Sequence, residues 1–244
     1  MSHLYLDESL ELGAVAPGAT VELGGDEARH AVTVSRVRPG ERIAIGDGRG
    51  TLVHGAVVST GPRELSLEVD EVVVEEAPSP RITLVQALAK GDRDELAVQA
   101  ATELGVDAIV PWMAARSVSR WEGAKAEKGR QRWAAIVREA VKQSIRSWMP
   151  PVEPVTATAG LPAALEGSRM LLLEPTASIT LTELRPDGRD LALVVGPEGG
   201  IAPAELERLV AAGAEPVRLG ASVLRTSTAG PAAIAVLNAR LGRW

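Results

Sequence analysis

The chain has no cysteine, no phenylalanine, a single tyrosine and only three histidines in 244 residues. Each scarcity removes a class of chemistry. Without thiols there is no disulfide, no thiolate metal site and no cysteine nucleophile, and the scattered His3, His30 and His54 form no metal-ligand motif. No metal is expected. With five tryptophans and one tyrosine as its only aromatic residues, the chain must fill its core with Leu, Val, Ile and Ala, and stacking platforms for bases are few. Long apolar runs are missing too: none reaches the ~20 residues of a membrane span. Asp7, Glu8 and Glu11, close behind Met1, do not make the basic-then-apolar layout of a signal peptide. The expectation is a soluble cytoplasmic protein without a membrane partner.

Positive charge is also in deficit, with a net charge of −6. That balance opposes a nucleic-acid partner, because phosphate binding draws its affinity from Lys and Arg. The average conceals a basic stretch: from Arg116 to Arg146 nine basic residues stand against three acidic ones. Taken alone, such a run is a solvated helix face.

Residues 1 to 76 read as a small β-rich unit. Short apolar or alternating runs (residues 3–6, 21–23, 42–46, 52–59 and 65–74) are separated by turn signals at Pro17-Gly18, Gly24-Gly25-Asp26, Pro39-Gly40, Asp47-Gly48 and Gly61-Pro62, with one short helix over 26–34. Glu75-Glu76-Ala77-Pro78-Ser79-Pro80 then breaks every pattern and marks a boundary. From Arg81 onward strand-type runs (82–88, 108–112, 170–173, 191–195, 216–219) alternate with helix-length amphipathic stretches (94–104, 129–145, 203–212, 228–241). This grammar predicts an α/β domain over 77–244 with a largely parallel sheet. Pro203 at a first helical position and Gly213 past the end frame one of its helices.

Two glycine-bearing segments follow strand-type runs and lead into helices, the usual ligand position in an α/β sheet. They are Gly196-Pro197-Glu198-Gly199-Gly200 and Leu219-Gly220 through Ala229. The first is neither a dinucleotide fingerprint nor a P-loop, since both spacings are absent. It offers a tight turn with unshielded backbone N–H groups and one carboxylate, Glu198. In the second, Arg225 at a strand-to-helix loop can hold an anion or polarise a carbonyl. Alone, each also reads as an ordinary turn or helix start.

Together with further motifs in order, these segments resemble the SPOUT class of RNA methyltransferases, and within it the ribosomal RNA small subunit methyltransferase E family, over nearly the whole chain. The marks are His30 with the run to Arg36, Asp47-Gly48, Lys90-Gly91-Asp92-Arg93, Thr102-Glu103-Leu104-Gly105-Val106, Arg116-Ser117-Val118 and Arg132-Trp133. Glu139-Ala140 with Gln143-Ser144 and Arg146, and the two glycine loops, complete them. The resemblance implies an N-terminal PUA-like β-barrel for RNA and a C-terminal α/β domain tied in a deep trefoil knot. It further implies a homodimer that methylates N3 of a uridine in 16S ribosomal RNA of the small ribosomal subunit, with S-adenosylmethionine as donor. By the same resemblance Leu173, Glu174, Gly196, Gly199, Gly200, Leu219, Gly220 and Leu224 would bind the donor.

Uracil N3 is a poor nucleophile until it loses its proton, so a site must assist deprotonation or stabilise the anion. Arg225 is the candidate stabiliser and Glu198 the candidate base, although Glu198 could instead hold the positively charged donor. The expected RNA contacts are Arg36, Arg38, Lys90, Arg93, Arg116, Gln143 and Arg146, with Arg42 and Arg49 as further members of a patch on the acidic N-terminal unit. His30 is expected to be a hydrogen-bonded structural residue. Two positions depart from the family pattern: Ser227 stands where glutamate is common, and Ala100 where lysine is common. The competing readings are a knotted methyltransferase acting on a ribose 2′-oxygen or a tRNA base, and an RNA-binding protein without catalysis.

Overall fold

The computed structural model describes residues 3–244. By contacts the chain divides into two units, one running up to Ala77 and including Val141–Met149, the other formed by Pro78–Ala140 and Pro150–Trp244.

The first unit carries Leu4–Leu6 (β1), Thr20–Gly24 (β2), Gly25–Arg29 (α1), Arg42–Gly46 (β3), Thr51–Thr60 (β4) and Glu64–Val74 (β5). Alternation decides which side chains face in: β2 buries Val21 and Leu23 and exposes Thr20, Glu22 and Gly24. The sheet order is β1-β3-β4-β5-β2, with β1 parallel to β3 and the other pairs antiparallel. Register shifts at His54/Gly55 and Val57/Ser59 interrupt the β4–β5 ladder, as bulges that bend a sheet do. The result is a mixed half-barrel whose edges are β1 and β2. Helix α1 runs into a wider π-turn over His30–Val34, where a single helix is expected, and Ala28 and Ala31 enter the same apolar core as Tyr5, Leu23, Ile45 and Leu67.

The second unit is built on six strands, Ile82–Ala87 (β6), Ala108–Met113 (β7), Thr156–Ala157 (β8), Arg169–Leu173 (β9), Leu191–Val195 (β10) and Glu215–Val217 (β11). All pair in parallel, in the order β11-β9-β10-β6-β7-β8. The helices are Arg93–Glu103 (α2), Ala124–Ser144 (α3), Leu161–Ala164 (α4), Pro203–Ala211 (α5) and Thr226–Leu241 (α6). Strand β10 is buried at every residue, as a strand covered on both faces must be. Val85, Val110, Trp112, Leu172 and Val194 share a core with Leu161 and Leu209, from α4 and α5. The alternate positions Leu84, Gln86 and Val195 face α6.

Several elements differ from the sequence pattern. Helix α3 starts at Ala124 rather than at Gly129, because Gly129 is not a breaker here but the seat of Trp121: a Cβ on it would lie 2.4 Å from the indole. Trp121 also meets Trp133 edge-on, with ring centroids 5.0 Å apart. Strand β8 and helix α4 are too short for periodicity to announce. Strand β11 ends at Val217, so Leu219 and Gly220 belong to a loop.

Glycine in the interior of α6 costs helix propensity, and here packing requires it. A Cβ at Gly230 would stand 3.0 Å from Leu84 Cδ1 and 3.5 Å from Val195 Cγ2. Gly230→Val should therefore overpack this contact and destabilise the unit by about 1–3 kcal/mol. A denaturant midpoint unchanged from wild type would refute the tight seating of α6 on β6 and β10.

Candidate functional site

The strand order reverses between β6 and β10, and the loops leaving the C-terminal ends of β9, β10 and β11 converge there, where open α/β sheets hold ligands. They enclose a cavity of about 340 Å³, within the size range of small-molecule sites. Its walls are Leu173 to Pro175 after β9, Val195 to Glu198 with Gly200 and Ile201 after β10, and Val217 to Gly220 with Ser222 to Thr226 after β11. Arg93, from the start of α2, and Ala229 complete it. The two glycine loops singled out in the sequence thus share one cavity.

What joins them is a buried chain of hydrogen bonds. Gln86 Nε2 on β6 donates to Thr226 Oγ1 at 2.9 Å, and Thr226 Oγ1 donates onward to the carbonyl of Gly196 at 2.9 Å. Gln86 is fully buried and Thr226 nearly so. Thr226 is the first residue of α6 in place of the expected Thr228, and its side chain ties the helix start to the opposite loop. Sequence gave one signal for Gln86: a lone amide inside the apolar run Ile82-Thr83-Leu84-Val85-Gln86-Ala87.

The first loop is held from two further sides. Glu198 Oε1 accepts from the backbone N–H of Lys90 at 3.0 Å and from the Arg93 guanidinium at 3.3 Å. Burial pushes this carboxyl up, but its own N–H, that of Lys90 and the charge of Arg93 outweigh burial and hold it below the usual range. A carboxylate so engaged is a weak proton acceptor. Asp94, at the same turn, accepts from the N–H groups of Ala89 and Glu95 at 2.9 Å each, yet burial leaves its carboxyl above the ordinary value. On the other side Arg116 donates to the carbonyl of Gly199 at 2.8 Å. The residues before Arg116 are fixed in turn by Glu205, whose buried carboxylate accepts from Ala115 N–H at 2.9 Å and from the Thr158 hydroxyl, itself the acceptor for Trp112 Nε1 at 3.0 Å.

Of the residues expected to hold the donor, Leu173, Glu174, Gly196, Gly200, Leu219, Gly220 and Leu224 line the cavity, whereas Gly199 lies outside the lining beneath Arg116. Both catalytic candidates, Arg225 and Glu198, line it too. Arg225 is exposed, and its guanidinium makes no hydrogen bond or ion pair among the described residues. Arg218, Val223 and Thr226 were missed as lining residues; an arginine inside the β11 pattern reads as a surface residue until the cavity is seen.

The expected RNA contacts are dispersed over both units. Lys90, Arg93 and Arg116 belong to the second, and Arg36, Arg38, Gln143 and Arg146 to the first. The basic stretch is largely committed to internal partners: Arg130 to Glu127, Arg132 to Glu95 and Lys142 to Glu27. In the first unit Arg42 pairs with Asp70, Arg63 with Asp26, and Arg49 reaches the carbonyls of Glu8 and Leu10. Arg29, Arg36 and Arg38 are exposed and have no side-chain partner among the described residues. His30 departs from expectation: it is exposed, and its ring makes no hydrogen bond among those residues. No group of His, Asp or Glu among the described residues is arranged to hold a metal, and no helix is long and apolar enough to cross a membrane.

An RNA methyltransferase domain family model matches residues 75–238, and an RNA methyltransferase PUA domain model matches residues 23–70. The chain is 43% identical over 246 residues to the ribosomal RNA small subunit methyltransferase E of Mycobacterium bovis, covering 98% of this chain and 92% of that protein. To the protein of the same name from Bacillus subtilis it is 33% identical, covering 86% of each. A crystal structure of ribosomal RNA small subunit methyltransferase E from Neisseria gonorrhoeae bound to S-adenosyl methionine superposes with a TM-score of 0.85 at 31% identity, covering 98% of both chains.

The depressed carboxyl of Glu198 fixes the sign of a pH effect. Its stabilising contribution is complete above its ordinary value of 4.5 and is lost as the pH falls through the lower folded value. Glu198→Gln should therefore lower the melting temperature at neutral pH and converge on wild type in acid, as thermal melts across pH will read. A gap that persists in acid would contradict the ionic clamp.

Proposed function

The chain belongs to the ribosomal RNA small subunit methyltransferase E family, and from that membership we propose that it methylates N3 of a uridine in 16S ribosomal RNA with S-adenosylmethionine as donor. The observation that carries the reading is the convergence of both glycine loops on one cavity, linked through Thr226.

The cavity suits such a donor. Its volume is that of a small-molecule site, and its apolar wall of Leu173, Val195, Val217, Leu219 and Leu224 fits a nucleoside face. A Cβ at Gly220 would meet nothing within 4 Å, so the main chain there is open to a ligand. Leu173, Glu174, Gly196, Gly200, Leu219, Gly220 and Leu224 are the residues that would hold it. When bound, the sulfonium supplies an electrophilic methyl carbon.

Arg225 is the group assigned to the uracil. An unpaired guanidinium at the cavity wall can stabilise the negative charge that spreads over the two carbonyl oxygens when N3 loses its proton. Glu198 is reassigned from base to clamp, because its lone pairs already serve Lys90 and Arg93 and its basicity is reduced. Arg29, Arg36 and Arg38 form the phosphate-contacting patch of the N-terminal unit, since their charges have no side-chain partner among the described residues. Arg116, Gln143, Arg146, Lys90 and Arg93 remain further contacts in this reading. It keeps residues 1–76 as the RNA-binding part and 77–244 as the methyltransferase part, with 141–149 serving the former. The homodimer, the trefoil knot and a cytoplasmic site of action belong to the same reading. Exposed Val223 and Leu224 at the cavity wall are the apolar surface a second copy would cover.

Arg225→Ala should lower kcat by about 10²–10³ while changing donor affinity, measured by calorimetry, only a few-fold. Equal losses in both would make Arg225 a binding residue instead. For RNA, the Arg36→Ala/Arg38→Ala double variant should flatten the dependence of log affinity on log salt by about one unit per arginine, and Arg42→Ala should leave it nearly unchanged. Binding titrations over a salt series decide this, and identical slopes for all three proteins would remove the patch.

A further inference from the structure

Three arginines line the cavity, and their situations differ. Arg93 is neutralised by Glu198. Arg225 is exposed at the start of α6. Arg218 is half-buried, and its Nε is shut off from solvent with no hydrogen-bond partner. Its guanidinium forms no ion pair among the described residues. The carboxylate that feels its charge, Glu183, is already held by the N–H of Thr180 at 3.1 Å.

The backbone of Arg218 is fixed. Its N–H donates to Ile179 O at 3.0 Å and its carbonyl accepts from Leu181 N–H at 2.8 Å, bridging the end of β11 to the loop after β9. Arg218 thus lines the cavity at a fixed position, with its Nε–H left unsatisfied, a costly state for a donor away from water. An anionic acceptor entering the cavity would correct it. RNA phosphates would meet exposed cations first, whereas a half-buried guanidinium inside a concave site is reached by a small ligand.

We propose that Arg218 recognises the carboxylate of the donor's amino-acid tail, turning its guanidinium toward it to form a charge-assisted hydrogen bond. This rests on the donor assignment made above. Donor and Arg218 then complement each other: the guanidinium meets the tail's negative charge and leaves the sulfonium to the neutral and acidic wall.

Calorimetry with S-adenosylhomocysteine and with the same compound lacking its carboxylate tests the assignment in the full chain. Wild type should prefer the carboxylate-bearing ligand by about ten- to a hundredfold, the range for a hydrogen bond to a charged group. Arg218→Gln should lose that preference and bind both ligands alike, with Arg218→Lys retaining part of it and RNA affinity unchanged in both variants. Equal binding of the two ligands by wild type would overturn the proposal, as would an Arg218→Gln variant that weakens both in proportion. An Arg218→Gln variant that weakens RNA instead would assign the residue to a phosphate. Failure of wild type to bind S-adenosylhomocysteine at all would sink the donor reading itself, a result separable from the others.

Discussion

A single buried hydroxyl holds the cavity together. Thr226 Oγ1 receives a hydrogen bond from Gln86 and gives one to the Gly196 carbonyl, so three segments far apart in the chain are fixed by one oxygen. A hydroxyl can do this because it is donor and acceptor at once. Several parts of the cavity wall adjoin it. Arg225 precedes this residue directly, Glu198 lies two positions beyond Gly196, and Gly230, one turn further along α6, settles onto Leu84 and Val195.

Around that bond the first glycine loop is gripped by ionic and backbone contacts. Arg116 takes the Gly199 carbonyl, and Glu198 takes the Lys90 N–H and the Arg93 guanidinium. Polar groups that could have served as chemistry therefore serve as architecture, and the pKa of Glu198 records the difference: a carboxylate that stabilises its surroundings by staying charged is correspondingly poor at taking a proton. By contrast, Arg218 and Arg225 in the cavity and Arg29, Arg36 and Arg38 on the N-terminal unit have no ion-pair partner among the described residues, and their charge is not spent on one of them. An overall acidic chain can bind an anionic partner on those terms, because affinity depends on which cations are uncommitted and not on their sum.

The elements of the second unit were legible because a parallel sheet covered on both faces writes itself as short, uninterrupted apolar runs, and Leu191–Val195 is one from end to end. Helix α3 runs back past Gly129 to Ala124, and at Gly129 a tryptophan occupies the space a side chain would need. Strand β8 and helix α4 were hidden by length, since two to four residues cannot display a period. An isolated histidine is usually a hydrogen-bonded structural residue, but His30 is exposed at the start of a π-turn, which sequence does not encode in any simple pattern.

Sequence by itself determined most of the strand and helix succession, the two glycine loops as the place of interest and, through nine motifs in order, the family. Those are local or linear properties, carried by residue type and spacing. Only the tertiary structure decided which charges are spent and which are free: Arg42 and Arg36 are alike on paper, yet one faces Asp70 and the other faces solvent. The same holds for Gln86 and Arg218, whose roles depend on neighbours more than 35 residues away in the chain. Pairing is a property of distance in space, and the linear order of a chain does not contain it.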